Sequence, residues 1–241
     1  MTGKVFAVGI GPGGRDHMTF KADRVLRECH AIVGYSGYLK YVEEYLDGKE
    51  VYSTGMKGEI DRCRKAMELA REGRDVAIVS TGDAGLYGMA GPILEMSEGI
   101  EVEIIPGISA CFSGAADLGS PLMHDFATIS LSDLLTPWEK IEKRLRMAAE
   151  GDFVISIYNP RSKGRPDYLR RAVDIISEFR GENTPVGIVR NSGREGTEKR
   201  IRTLGSIEYE DVDMLSILIV GNSSTYTRND LIITPRGYDI L

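Results

Sequence analysis

The chain alternates short apolar runs with longer stretches whose apolar residues recur at helical spacing. Residues 4–10 read as a strand that runs into glycines, and Thr19 is placed to cap a helix extending to about His30. Residues 31–33 form a short second strand. In 59–72 the apolar positions Ile60, Cys63, Ala66, Met67 and Ala70 fall on one helical face. Residues 75–80 are an apolar strand, followed by TGDAGLYG and a further helix. Residues 102–105 are a strand ended by Pro106-Gly107, and 109–118 a helix of small residues. This half predicts alternating β and α units around a mostly parallel sheet. Gly119-Ser120-Pro121 interrupts the pattern and reads as a linker. Beyond it, strands are expected at 127–131, 153–158, 186–189, 200–204, 215–220 and 230–233, and helices at 138–149 and 168–179. The second half is richer in strands and predicts a mixed sheet. The expected architecture is α/β, with two α/β domains at 1–119 and 124–241 and a cleft between them.

The 241 residues carry 30 basic and 36 acidic side chains, a net charge of −6. Nucleic acid and anionic membranes favour a basic surface, so neither is an expected partner. Hydrophobic residues make up 42% and charged residues 27%, the balance of a chain with a real core. No run approaches the ~20 apolar residues that span a bilayer. The N-terminus enters a strand at once, without a signal-peptide pattern, so a cytoplasmic protein is expected. Cys29, Cys63 and Cys111 form no C-x-x-C pair, and His17, His30 and His124 no H-E-x-x-H. No metal site is expected, and the cysteines read as small core side chains.

The 28 glycines, about 12% of the chain against a usual ~7%, cluster where apolar runs end. Gly9-x-Gly11-x-x-Gly14 follows a strand and matches a dinucleotide fingerprint. That fingerprint should open a helix directly, yet Pro12 and polar residues intervene before Thr19. It also needs an acidic residue after the second strand, where Gly34 and Tyr35 stand. A P-loop fails because Arg15-Asp16 occupies the Lys-Ser/Thr positions, and a hydrolase elbow at Gly107 fails at Cys111. What remains are five strand-end loops of small residues: Gly11-Pro12-Gly13, Gly82–Gly88, Pro106–Ala110, Tyr158-Asn159-Pro160 and Asn191-Ser192-Gly193. Ligands of α/β sheets sit beyond the carboxyl ends of strands, where glycines let backbone approach closely.

The segments VGIGPGG, STGDAGLYG, IIPGISA, ISIYNP and IVRNSG together resemble the tetrapyrrole (precorrin) methyltransferases of cobalamin synthesis. SLSDLLTPWEKIEKRL and IVGNSSTYTRNDLIITPRGY narrow the resemblance to members that methylate C-17 of the macrocycle with ring contraction. The resemblance implies S-adenosylmethionine as cofactor, lying between two α/β domains and leaving as S-adenosylhomocysteine. It implies that Pro12 borders the pocket and that Gly82, Asp83, Leu86 and Tyr87 follow the methionine and sulfonium. Ser109 and Ala110 would hold the methionine end, and Tyr158, Asn159, Asn191 and Thr225 the adenosine. It further implies a homodimer. The substrate would be a carboxylate-rich tetrapyrrole, for which basic residues should gather. The stretches 161–171 and 190–202 carry net charges of +4 and +3 and are candidates, unless they are ordinary solvated faces. Tyr35 and Tyr38 are candidates for an aromatic wall, or for the core. Ring contraction calls for proton transfer, for which Asp133, His124 and Asp83 are candidates. For each, a cap or a supporting hydrogen bond is the alternative. Methylation at another macrocycle carbon, diphthine synthesis, a non-enzymatic adenosine-ligand sensor and an NAD-dependent oxidoreductase are the competing readings.

Overall fold

A computed structural model describes residues 2–162 and 164–239. The chain divides into two compact units, Met1–Ala110 and Cys111–Leu241. In the first unit, strands and helices alternate: β1 (Val5–Gly9), α1 (Phe20–Glu28), β2 (Ala31–Tyr35), α2 (Ser36–Leu39), β3 (Glu50–Thr54), α3 (Glu59–Arg71), β4 (Val76–Ser80), α4 (Ala90–Glu95) and β5 (Val102–Ile105). The five strands form one sheet in the order β3-β2-β4-β1-β5, with every neighbouring pair parallel. Parallel strands covered on both faces need continuous apolar runs rather than alternation, and β4 (VAIVS) is buried throughout. Val5, Ala7, Val33, Val76 and Ile78 pack with Cys63, Ala66, Met67 and Ala70 of α3. On the other face Val8, Ile32, Ala77, Val79 and Ile105 pack with Ala22, Val25 and Leu26 of α1.

This order positions a site. The adjacent strands β1 and β4 lead through α1 and α4 to opposite faces and opposite flanks of the sheet. Such a reversal opens a crevice at the carboxyl ends of the two strands. The loops that leave there are 10–19 and 81–89.

The second unit contains α5 (Ala110–Leu118, from Cys111 onward), β6 (Gly119–Ser120), β7 (Phe126–Ser130), α6 (Trp138–Glu150), β8 (Val154–Tyr158), α7 (Tyr168–Ser177), β9 (Pro185–Arg190), β10 (Glu198–Thr203), β11 (Ser216–Val220), β12 (Tyr226–Arg228) and β13 (Leu231–Ile233). Its main sheet runs β10-β9-β11-β8-β7. Only β7 and β8 are parallel, so the sheet is mixed as expected. Ile141 and Leu145 of α6 and Leu169, Val173 and Ile176 of α7 cover one face. Ala115 and Leu118 of α5, with Ile232, cover Val154, Val189, Ile217 and Ile219 on the other.

Three expectations change. Gly119-Ser120 is a short strand paired in parallel with Ile232–Ile233, not a linker. The division falls at the start of α5 rather than after 119, because α5 buries its small-residue face in the second unit: a Cβ on Gly114 would stand 2.7 Å from Ile217. Ile60 is exposed while Arg62 is buried, so the inward face of α3 is turned from the apolar pattern at its first turn. The strand β3 escapes the sequence reading because, as an edge strand, it buries little of EVYST.

Candidate active site

Three loops meet at the carboxyl ends of β1, β4 and β5. Gly11 and Gly82 exchange backbone hydrogen bonds, the Gly11 N–H donating to the Gly82 carbonyl at 3.1 Å and the Gly82 N–H to the Gly11 carbonyl at 2.7 Å. A Cβ on Gly107 would lie 2.2 Å from the Gly82 carbonyl oxygen and 2.6 Å from that of Gly9. Backbone therefore packs directly on backbone, and only glycine fits. The carboxylate of Asp83 accepts the N–H groups of Gly85 (2.8 Å) and Leu86 (3.1 Å) on one oxygen and that of Gly107 (3.0 Å) on the other. It ties the second loop to the third. Thr19, which caps α1 by accepting from Ala22, also donates to the Pro106 carbonyl at 3.3 Å. Tyr87 is half exposed in a left-handed conformation (φ 57°), and Ser109 is buried. Pro12, Gly82, Asp83, Leu86, Tyr87, Ser109 and Ala110 are thus brought to one edge of the first sheet.

In the second unit Tyr158 closes β8, and its hydroxyl accepts the Cys111 N–H at the start of α5 (2.9 Å). Asn159 (φ 50°) donates through Nδ2 to Ser130 Oγ at 2.9 Å. Asn191 (φ 53°) follows β9, and its carbonyl accepts from Thr197. The next residue, Ser192, donates to Asp117 at 2.6 Å, which pins this loop to α5. Thr225 is buried, with its hydroxyl shared among the Asn222 N–H, Asn222 Oδ1 and Thr234. Asp133 accepts a 2.6 Å hydrogen bond from the Tyr168 hydroxyl and faces Arg165 at 3.8 Å. That hydrogen bond is the chief reason the Tyr168 phenol is shifted above its ordinary range, ahead of burial. His124 precedes β7 whereas Asp133 follows it. The two proton-transfer candidates are therefore at opposite ends of one strand, and the structure does not bring them together.

The basic stretches make many of their contacts within the second unit. Arg190 pairs with Asp213 and Glu198, Arg200 with Glu198 and Asp211, and Arg202 with Glu208. Arg161 and Arg165 donate to the carbonyls of Tyr209 and Leu131, and Arg170 and Arg171 stack on Tyr209 and Trp138. Lys163 lies outside the described residues. Several of these partners, Asp213, Tyr209 and Trp138 among them, lie outside the stretches and are not legible from net charge along the sequence.

A sequence model of the Tetrapyrrole (Corrin/Porphyrin) Methylases matches residues 4–208. The chain belongs to this family. Its similarity to a probable cobalt-factor III C(17)-methyltransferase of Salmonella typhimurium is 50% identity over 237 residues, 97% of this chain and 98% of that protein. A cobalt-factor III methyltransferase of Priestia megaterium is 44% identical over 99% of this chain, which spans 46% of that longer protein. Among solved structures, that of the methyltransferase CobJ superposes with a TM-score of 0.91 at 38% identity, covering 97% of this chain and all of CobJ. The methylase family accounts for the strand-end loops legible in the sequence. Two residues were not legible: Tyr168, which holds Asp133 from 35 positions away, and Arg62, a cation hidden among the apolar positions of α3. An arginine within an inward helical face is a signal that could have pointed to the second.

Proposed function

We propose that this methylase transfers the methyl group of S-adenosylmethionine to C-17 of a cobalt-factor III type tetrapyrrole, with ring contraction, in cobalamin biosynthesis. The observation that carries the reading is 50% identity to the Salmonella protein over nearly the full length of both chains. Close approach of backbone at the strand ends supports this cofactor: a Cβ on Gly107 would meet the carbonyls of Gly82 and Gly9 and one on Gly11 that of His17, and Gly82 adopts a left-handed φ of 72°. When bound, S-adenosylmethionine supplies an already activated methyl group and becomes S-adenosylhomocysteine.

Pro12, Gly82, Leu86 and Tyr87 border the methionine and sulfonium, with Asp83 holding their loop in shape, and Ser109 and Ala110 take the methionine end. Tyr158, Asn159, Asn191 and Thr225 are assigned to the adenosine. The hydroxyls of Tyr158 and Thr225 already serve the fold, as does the Thr225 N–H, which leaves the Tyr158 ring for contact. The residues' main contribution to rate is alignment of the two reactants. Asp133, oriented by Tyr168 and faced by Arg165, is the better placed proton acceptor for lactone closure. His124, exposed and beyond the other end of β7, is the weaker candidate. A homodimer is the expected assembly.

Calorimetric titration with S-adenosylhomocysteine, with NAD as the control, tests the cofactor. One-per-chain binding of the first and no heat from the second is the expected result, and methyl transfer to cobalt-factor III then tests the substrate. Binding of NAD instead would return the Gly9-x-Gly11-x-x-Gly14 turn to an oxidoreductase reading.

A further inference from the structure

Among the described residues of the first unit, a buried cation with an unmet N–H lies outside the loops assigned to the cofactor. Arg62, on the first turn of α3, is only 4% exposed. Its Nη1 donates to Thr54 Oγ1 at 2.6 Å and to the Gly55 carbonyl at 3.2 Å. Its other edge is poorly engaged. Nη2 has the Met89 sulfur at 4.0 Å and Glu59 Oε1 at 3.3 Å, and Nε is buried with no hydrogen-bond partner among the described residues. Burying a guanidinium is costly unless it is paired and its N–H groups are met. The Nε–Nη2 edge is also the fork that receives a carboxylate in two parallel hydrogen bonds. The structure thus holds a preformed carboxylate receptor whose fork is incompletely filled.

Its position suits a ligand. Thr54 ends β3 and pairs in register with Tyr35, which ends β2, so Arg62 stands at the carboxyl edge of the parallel sheet. Through Met89 it touches the loop that leaves β4. Tyr35 and Tyr38 pack edge to face at 5.0 Å and remain partly exposed. Two exposed neighbours lie beside Arg62, Glu59 and the strap that begins at Gly55. Glu59 is half exposed, at 51%, and the strap of residues 55–58 is bounded by glycines and carries an exposed Lys57 at φ 67°. A left-handed lysine is a strained conformation that movement of the strap would relieve.

We propose that Arg62 is the anion-binding residue of a substrate subsite that takes one peripheral carboxylate of the tetrapyrrole. Glu59 is its built-in counter-ion, which the incoming carboxylate replaces as the strap 55–58 moves aside. The proposal rests on the tetrapyrrole reading above. It differs from a purely structural strut in one respect: removing the charge of Glu59 should help the substrate rather than harm it.

The test is titration of cobalt-factor III into the full-length protein, read by its visible absorption, with S-adenosylhomocysteine calorimetry on each variant. Glu59→Gln should tighten cobalt-factor III binding by about threefold or more, since an exposed competing ion pair is lost. Arg62→Met should weaken it by about tenfold or more. S-adenosylhomocysteine affinity should not move in either variant. Should Arg62→Met fail to fold, the exposed charge reversal Lys57→Glu replaces it, with weaker cobalt-factor III binding expected. Unchanged or weakened binding in Glu59→Gln overturns the subsite, as does an equal loss of both ligands in Arg62→Met. Wild-type protein that binds S-adenosylhomocysteine but not cobalt-factor III overturns the substrate reading and the subsite with it. Protein that binds cobalt-factor III without S-adenosylhomocysteine overturns only the cofactor reading.

Discussion

Asp83 shows what a single residue's chemistry owes to its surroundings. As one of three proton-transfer candidates it is the least suited, because its two oxygens accept three backbone N–H groups from two loops. Each hydrogen bond to a charged acceptor contributes ~1.5–3 kcal/mol, and a donor left without its acceptor costs a similar amount. Asp83→Asn keeps one acceptor but turns an amide N–H toward a backbone N–H. It should raise the dissociation constant for S-adenosylhomocysteine by about tenfold or more in calorimetry. The sequence alone placed Asp83 in a strand-end loop, yet which N–H groups surround a carboxylate is set by neighbours 24 positions away. Asp133 was legible in the same sense, whereas its partner Tyr168 was not.

At the scale of elements, the strand-end glycines are the steric condition for the first unit's site. Gly107→Ala would drive a methyl group into the backbone carbonyls of Gly82 and Gly9. With backbone on both sides and no flexible side chain to yield, a loss of ~1–3 kcal/mol is expected in urea unfolding, together with weakened S-adenosylhomocysteine binding. Helix α1 carries a second, pH-dependent contribution. Asp23 is held at a pKa of about 2, first by its hydrogen bond from Arg27 and then by that from the Tyr45 hydroxyl. A carboxyl lowered in the folded state stabilises above its ordinary value of 3.8 and loses that contribution as pH falls through about 2. The urea midpoints of wild type and Asp23→Asn should therefore differ most near neutral pH and converge as pH approaches 2.

At the scale of the whole molecule, the position of the division has consequences for stability. Leu118 and Ala115 of α5 complete the core around Val189, Ile217, Ile219 and Ile232, and Gly187 is a glycine because Leu118 fills the space above it. Leu118→Ala should cost ~2–5 kcal/mol. A fragment of residues 111–241 should unfold cooperatively on heating. A fragment of 124–241, which lacks α5 and β6 and bares one face of its sheet, should not. Circular dichroism melting curves of the two fragments distinguish the outcomes.

The amino-acid sequence by itself determined the alternation of elements, the parallel and mixed characters of the two sheets, the strand-end loops and the family. Each of these is written in local periodicity or in short runs of contiguous residues. The tertiary structure alone decided which unit claims α5, that β6 is a strand, and that Arg190, Arg170 and Arg171 meet Asp213, Tyr209 and Trp138. It also decided that Arg62 lies buried with half of its fork unfilled. These are pairings between residues far apart in sequence. They depend on which faces the sheets present to their helices, and no window along the chain contains that information.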